Sequence, residues 1–210
     1  ICYWHGQVDI VPMLLLMLAI LFTKRYQPIL AGLAMGAAIS AKLSMLIAPP
    51  FLLMYLISTK SLRHMIVPAL STTVATTLVL LTPVLMSDDG WAMIVQNPEL
   101  SKIYDVSISL QNNLNIYLLP TAYILVLYGA WSVRRMNFDL LLALIGTGFI
   151  AIILLSPASA GWFLWIIPFV VLLLNQAPMR HLVMVFAFNL QFVLLQLLNV
   201  SGAFVPLLGV

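Results

Sequence analysis

Long apolar segments, separated by short polar connectors, limit what this chain can fold into. They occupy residues 10–23, 28–57, 65–86, 114–132, 140–155, 162–174 and 182–198. Charged residues make up 7% of the chain, whereas an ordinary soluble domain carries about 25%. A core in water cannot absorb this much apolar surface, so we expect lipid to be the solvent for most of it. The predicted fold class is all-α, a polytopic transmembrane helical bundle, with residues 1–210 forming a single transmembrane domain.

The distribution of charge predicts an orientation. If segment 28–57 enters and leaves the membrane on the same side, most basic residues of the connectors lie together, which the positive-inside rule assigns to the cytoplasmic face. These residues are Lys24, Arg25, Lys60, Arg63, Arg134, Arg135 and Arg180. On the outer face the same choice places Asp9, Asp88, Asp89, Glu99 and Asp105. Among the acids only Asp139 remains inside.

This orientation makes residues 28–57 a short helical hairpin. Each arm is roughly 20 Å long at 1.5 Å per residue, less than the ~30 Å of a hydrocarbon core. The first arm holds Gly32 and Gly36 at the spacing that lets helices pack closely in lipid. Pro49-Pro50 predicts a kink in the returning arm. Short spans require helix ends below the headgroups, so we expect a wetted cavity on the outer side.

The opening stretch "HGQVD" places His5, Gln7 and Asp9 at the outer start of the first apolar segment. In an extended or turn conformation, alternate side chains point the same way, and the polar groups converge on one cavity. Polar clusters inside membranes are often functional. The alternative is structural: Asp9 caps the first helix, with Pro12 in its first turn, while His5 and Gln7 are merely hydrated.

Lys42 is the only basic residue inside an apolar run, near the apex of the predicted hairpin. An ammonium there is costly unless it snorkels, pairs or meets a ligand. Two interpretations stay open. Lys42 either snorkels or pairs with an internal partner such as Asp9, or it captures an anionic headgroup such as a phosphate.

The outer connector and the segment after "SPASAG" offer weaker candidates. Asp88 and Asp89 are adjacent acids that serve as a base, as metal ligands or, by default, at a helix start. No further acid or His stands at ligand spacing, and the single cysteine excludes a multi-Cys metal site, so we predict no metal. Trp162 and Trp165 fit either an interfacial aromatic belt or a sugar-stacking role.

"HGQVDIVPMLLLMLAILF", followed by "AGLAMGAAISAKLSMLIAPPFLLMYLI" and "PASAGWFLWIIPF", resembles the middle of a GT-C superfamily glycosyltransferase. The resemblance covers most of residues 4–175 in pattern. It implies a GT-C helical bundle in the membrane and transfer of a hexose, mannose-like, from a polyprenyl- or dolichyl-phosphate donor to a glycan or lipid acceptor. The active face would be periplasmic, extracellular or lumenal. The donor is a substrate, and no cofactor is implied.

Carried over residue by residue, the resemblance makes His5, Gln7 and Asp9 part of the substrate cavity and Lys42 a phosphate contact. The family's catalytic carboxylate normally lies in the first outer loop, upstream of residue 1. We therefore expect the chain to be a fragment lacking its N-terminal portion, and we name no catalytic base. Asp88 and Asp89 remain weaker candidates.

Two other classes fit parts of the pattern. A transporter or flippase would use the interrupted hairpin and Lys42 as an anion site, although no second, inverted copy of this unit is found. A non-catalytic assembly subunit would use the glycine face for helix packing.

Overall fold

A computed structural model describes residues 9–96, 98–110, 114–157, 160–174 and 179–198. Almost all of the regular structure in these ranges is helical, which confirms the all-α class. The α-helices are α1 (Ile10–Lys24), α2 (Pro28–Ala41), α3 (Ala48–Ser58), α4 (Ile66–Leu85), α5 (Asp88–Val95), α6 (Pro98–Ser101), α7 (Leu118–Ser132), α8 (Phe138–Leu155), α9 (Ile167–Leu174) and α10 (Met179–Leu198). Short 3-10 helices span Leu43–Ile47, Lys60–Met65, Lys102–Tyr104 and Ala160–Trp165.

A tight turn folds α1 back onto α2. The turn follows Lys24, and Tyr26 adopts a left-handed conformation with φ 59°. The amide of Gln27 donates to the carbonyl of Phe22, and Pro28 begins the next helix. Proline suits a first helical turn because it has no N–H to leave unpaired. The end of α2 therefore returns to the level at which α1 begins.

Small residues set the packing of α2 against α4. A Cβ added at Gly32 would lie 2.5 Å from the carbonyl oxygen of Ala69, and one added at Gly36 would lie 2.6 Å from Cβ of Thr76. Because successive glycines meet successive turns of α4, the two helices run parallel. The predicted close packing at the glycine pair is confirmed.

The segment between α2 and α4 brings the chain back to the end of the bundle at which α2 begins. Ser58, at the end of α3, accepts a hydrogen bond from the amide of Met136 at 3.3 Å. At the same end, the Lys24 ammonium lies 4.8 Å from the ring centroid of Phe138. The predicted hairpin at about 28–57 is confirmed, with Lys42 at its interruption.

The returning arm changes from a 3-10 helix to an α-helix directly before Pro49-Pro50. Both prolines lie in the first turn of α3, directly after the 3-10 helix Leu43–Ile47. A proline interrupts a helix only where its N–H would be needed, and the first turn does not need it. The interruption lies instead at Lys42, whose backbone is extended with φ −159° and ψ 120°.

The core is centred on α8, which packs against α3, α7 and α9. Its Phe149 is fully buried and contacts the rings of Trp165 and Phe169, each at a centroid distance of 5.9 Å. Asn137 caps α8 by accepting a hydrogen bond from the amide of Leu140 at 2.8 Å. This cap starts the helix at Phe138, two residues before the apolar segment marked in the sequence.

The connector between α4 and α7 is more ordered than the sequence suggests. After α5, α6 and a 3-10 turn, β1 (Ser107–Ser109) pairs antiparallel with β2 (Asn115–Tyr117), Ile108 opposite Ile116. The apolar segment that begins at residue 114 therefore opens with a short strand, and α7 starts at Leu118.

Within the described residues, two helical stretches are long and apolar enough to cross a membrane: Lys60–Leu85 and Phe138–Leu155. Shorter apolar helices accompany them. The first stretch includes α4, in which no residue is buried. Helices of this length and composition, with so much apolar surface left exposed, favour association with a membrane.

Candidate functional site

An ion pair joins two of the predicted site residues, Asp9 and Lys42. Asp9 precedes α1 and Lys42 follows α2, and the antiparallel helices bring them together. The Lys42 ammonium donates to Oδ1 of Asp9 at 2.5 Å. The Asp9 side chain is 6% exposed and that of Lys42 is 30% exposed. The pairing interpretation of Lys42 is confirmed, and part of the Lys42 side chain remains exposed.

The alternative role of Asp9 as a helix cap is wrong. Asp9 occupies the N-cap position of α1, but its side chain makes no capping hydrogen bond. Its backbone lies in the helical region, with φ −60° and ψ −18°, whereas a capping residue usually adopts a β conformation. The carboxylate is directed at Lys42 instead.

A stacked pair of indoles forms the other side of the site. Trp162 and Trp165 lie three residues apart on the 3-10 helix Ala160–Trp165, a spacing that places side chains above one another. Their ring centroids are 4.9 Å apart and the planes are inclined by 16°. The Lys42 ammonium lies 4.7 Å from the centroid of Trp165 and 5.8 Å from that of Trp162. The ammonium is thus held by a carboxylate and by indole faces, both of which favour a cation.

The assignment of these tryptophans to an interfacial aromatic belt is wrong. Trp162 is 6% exposed and Trp165 is 1% exposed, so both rings lie inside the bundle. A belt residue presents its ring to the lipid headgroups. Here Trp165 packs onto Phe149, and both rings lie against the Lys42 ammonium.

Lys102 is a member of the site that the sequence analysis did not select. Its ammonium lies 5.3 Å from the ring centroid of Trp162. The sequence did contain a signal for Lys102. Seven of the nine basic residues lie in the connectors predicted to be cytoplasmic, and the two exceptions are Lys42 and Lys102. Both exceptions approach the same indole.

Two polar atoms of this cluster are buried without a hydrogen-bond partner in the described part of the chain. They are Oδ2 of Asp9 and Nε1 of Trp165. One is an acceptor and the other a donor, and buried atoms of either kind are normally satisfied. Chemically, the cluster offers ammonium groups to an anion, and one acceptor and one donor to hydroxyl groups.

The remaining candidates are distributed elsewhere. Asp88 and Asp89 lie exposed in the first turn of α5, where the helix dipole favours acidic side chains. Ser87 caps this helix by accepting from the amide of Gly90 at 3.0 Å. His5 and Gln7 lie outside the described residues. Across the described ranges, no three His, Cys, Asp or Glu side chains come close enough to hold a metal ion.

The fold and this cluster define an all-α protein, rich in apolar helices, with a buried polar site at one end. The family model of glycosyltransferase family 87 matches residues 2–195. The chain therefore belongs to glycosyltransferase family 87, whose members transfer sugars from a donor to an acceptor. No curated protein and no solved structure matches the chain.

Proposed function

We propose that this chain is part of a multi-pass membrane glycosyltransferase of the GT-C type. It transfers a hexose, mannose-like, from a polyprenyl-phosphate donor to a glycan or lipid acceptor on the outer or lumenal face. The single observation that carries the proposal is the convergence of Lys42 and Lys102 on Trp162. These are the two cations that do not follow the charge asymmetry, and they meet beside a buried acid and a stacked indole pair.

In the proposed reaction, an acceptor hydroxyl attacks the anomeric carbon of the sugar. The bond between that carbon and the phosphate oxygen breaks, and the polyprenyl phosphate leaves with the bonding electrons. Charge accumulates on the departing phosphate, so a cation fixed beside it lowers the barrier. We assign this contact to the Lys42 ammonium, because the Lys42 side chain stays 30% exposed while it is paired with Asp9. The hydroxyl proton passes to a base that we do not assign.

The other groups position substrates. The indole of Trp162 positions the Lys42 and Lys102 ammonium groups, which lie 5.8 and 5.3 Å from its ring centroid. Oδ2 of Asp9 accepts a hydrogen bond from a sugar hydroxyl, while Oδ1 holds the Lys42 ammonium. His5 and Gln7 are proposed to line the same cavity.

The test compares one substitution at two lysines in the full chain. Lys42 and Lys24 each lie over an aromatic ring, at opposite ends of the bundle. With polyprenyl-phosphate mannose and membrane acceptors, we expect Lys42→Met to lower kcat at least tenfold, because a phosphate contact is lost from the transition state. Lys24→Met should retain the wild-type rate.

Further variants separate a substrate role from a structural one. Lys102→Met leaves the Asp9 ion pair intact and should raise KM, and His5→Ala and Gln7→Ala should lower transfer. If all of these variants fold and show wild-type kinetics, the proposed substrate site is refuted. Movement of the labelled donor across proteoliposomes without sugar transfer would favour a transporter. Absence of both activities in the wild-type protein would favour an assembly subunit.

A further inference from the structure

A groove lies at the end of the bundle opposite Asp9 and Lys42. It is formed by the end of α3, the 3-10 helix Lys60–Met65, the end of α7 and the loop that leads to α8. Its volume is about 920 Å³, within the range of clefts that hold small molecules. The glycosyltransferase site described above contributes no residue to it.

The charged residues that line the groove are all basic. Lys60, Arg63, Arg134 and Arg135 line it, and all four side chains are exposed. None of the lining residues is acidic. Four cations with no carboxylate among the lining residues create a positive potential in a concave surface, which concentrates an anionic ligand. Arginine in particular suits phosphate, because its fork of donors binds two oxygens at once.

Apolar residues also line the groove. Met54, Ile57, Val133 and Trp131 line it, and Trp131 is 66% exposed. An exposed tryptophan next to arginines is typical of the level at which a membrane meets water. A small hydrophilic anion would gain nothing from these apolar residues, whereas a lipid can place its phosphate on the cations and its first acyl carbons on the apolar residues.

The groove is held open by hydrogen bonds in its walls. The Ser58 hydroxyl donates to the carbonyl of Tyr55 at 3.0 Å and accepts from the amide of Met136 at 3.3 Å. Nε of Arg63 donates to the carbonyl of Ile57 at 3.0 Å, which leaves the terminal nitrogens of that guanidinium for a ligand. The two walls are therefore tied together before any ligand binds, which lowers the cost of binding.

We propose that this groove binds the phosphate headgroup of an anionic phospholipid. The inference does not depend on sugar transfer, although it shares with the proposed function the placement of the chain in a membrane. It also gives the basic connectors a specific ligand in addition to their part in setting the orientation.

The experiment measures lipid binding to the purified full chain in neutral detergent by native mass spectrometry. Phosphatidylglycerol is compared with phosphatidylcholine at equal concentration, and inorganic phosphate is added as a competitor. Arg134→Gln is the test variant and Arg25→Gln is its matched control, because Arg25 is an exposed basic residue at the same end that does not line the groove.

We expect phosphatidylglycerol to bind more tightly than phosphatidylcholine, and millimolar phosphate to leave it bound. Arg134→Gln should weaken the preference about fivefold, since a basic residue near an anionic lipid contributes about that factor. Arg25→Gln should leave it unchanged. If Arg134→Gln unfolds the protein, Lys60→Gln provides the same test.

Three results would overturn the proposal. Equal weakening by the Arg134 and Arg25 variants would show a diffuse surface charge and no groove site. Equal binding of the two lipids would show that the anionic headgroup does not contribute to binding. Displacement of the lipid by inorganic phosphate would identify a small-anion site.

Discussion

Replacing Gly36 by alanine tests the contact between α2 and α4. A Cβ at Gly36 would lie 2.6 Å from Cβ of Thr76 and 2.7 Å from the carbonyl oxygen of Thr73. The first distance is about 0.8 Å short of the 3.4 Å at which ordinary contact begins. A backbone oxygen and a branched Cβ cannot swing aside, so the helices must separate. Forcing extra volume into a packed interface costs about 1–3 kcal/mol, and the fixed neighbours place Gly36→Ala in the upper part of this range.

Gly129→Ala supplies the matched control. Gly129 lies in α7, and among the described residues no atom outside its own helix comes within 4 Å of the Cβ position. Alanine is favoured over glycine in a helix by about 1 kcal/mol, and this gain applies at both positions. We therefore expect Gly129→Ala to stabilise the protein slightly and Gly36→Ala to destabilise it by about 1–2 kcal/mol.

The assay for both variants is reversible unfolding of the full chain in mixed micelles with increasing SDS, followed by far-ultraviolet circular dichroism. The difference between the variants isolates the packing cost from helix propensity. If the two substitutions shift the unfolding midpoint in the same direction and by the same amount, the close contact of α2 and α4 is refuted.

In the same unfolding assay, Tyr123→Phe should cost about 1 kcal/mol, because the phenol donates to the carbonyl of Ile47 at 3.0 Å; an unchanged midpoint would exclude this bond. Asn137→Ala should cost about 1 kcal/mol by removing the cap of its helix, whereas Asn137→Asp should cost little, and equal losses in the two variants would argue against capping. Lys42→Met should destabilise by about 1–3 kcal/mol because the Asp9 carboxylate stays buried without its partner. Adding Asp9→Leu should recover much of that loss, and a double variant as unstable as the two single losses combined would show that the residues act independently.

The hairpin and the ion pair could be predicted from the sequence because a charged side chain in an apolar chain has few stable environments. A lysine inside an apolar run needs a partner, and Asp9 was an acid at the same level once the basic connectors were placed together. The glycine pair was recognisable for a similar reason, since its spacing has a simple geometric meaning. The helix that packs against this glycine pair, α4, could not be identified from the sequence, because nothing in the sequence of α4 specifies which helix it faces.

The roles of the tryptophans and of Lys102 depended on tertiary structure. Trp near the end of an apolar segment usually signals an interface, and only the 3-10 conformation of Ala160–Trp165 turns both rings inward onto Lys42. Lys102 lies sixty residues further along the chain than Lys42, in a connector whose turns and strand pair fix its position. The role of Pro49-Pro50 depended on the same context, because this dipeptide either kinks a helix or starts one, and the preceding 3-10 helix decides between them.

The interruption at Lys42 has a consequence for how the protein enters a membrane. In the proposed bundle, a lysine carried alone to the middle of the bilayer costs about 2.5–3.5 kcal/mol. Neither arm of the hairpin is long enough to span by itself, since α2 has 14 residues and α3 has 11. Insertion of this segment is therefore coupled to α1, whose aspartate neutralises the lysine. During biosynthesis the first three helices should be released into lipid as one unit, after the ribosome has completed the returning arm.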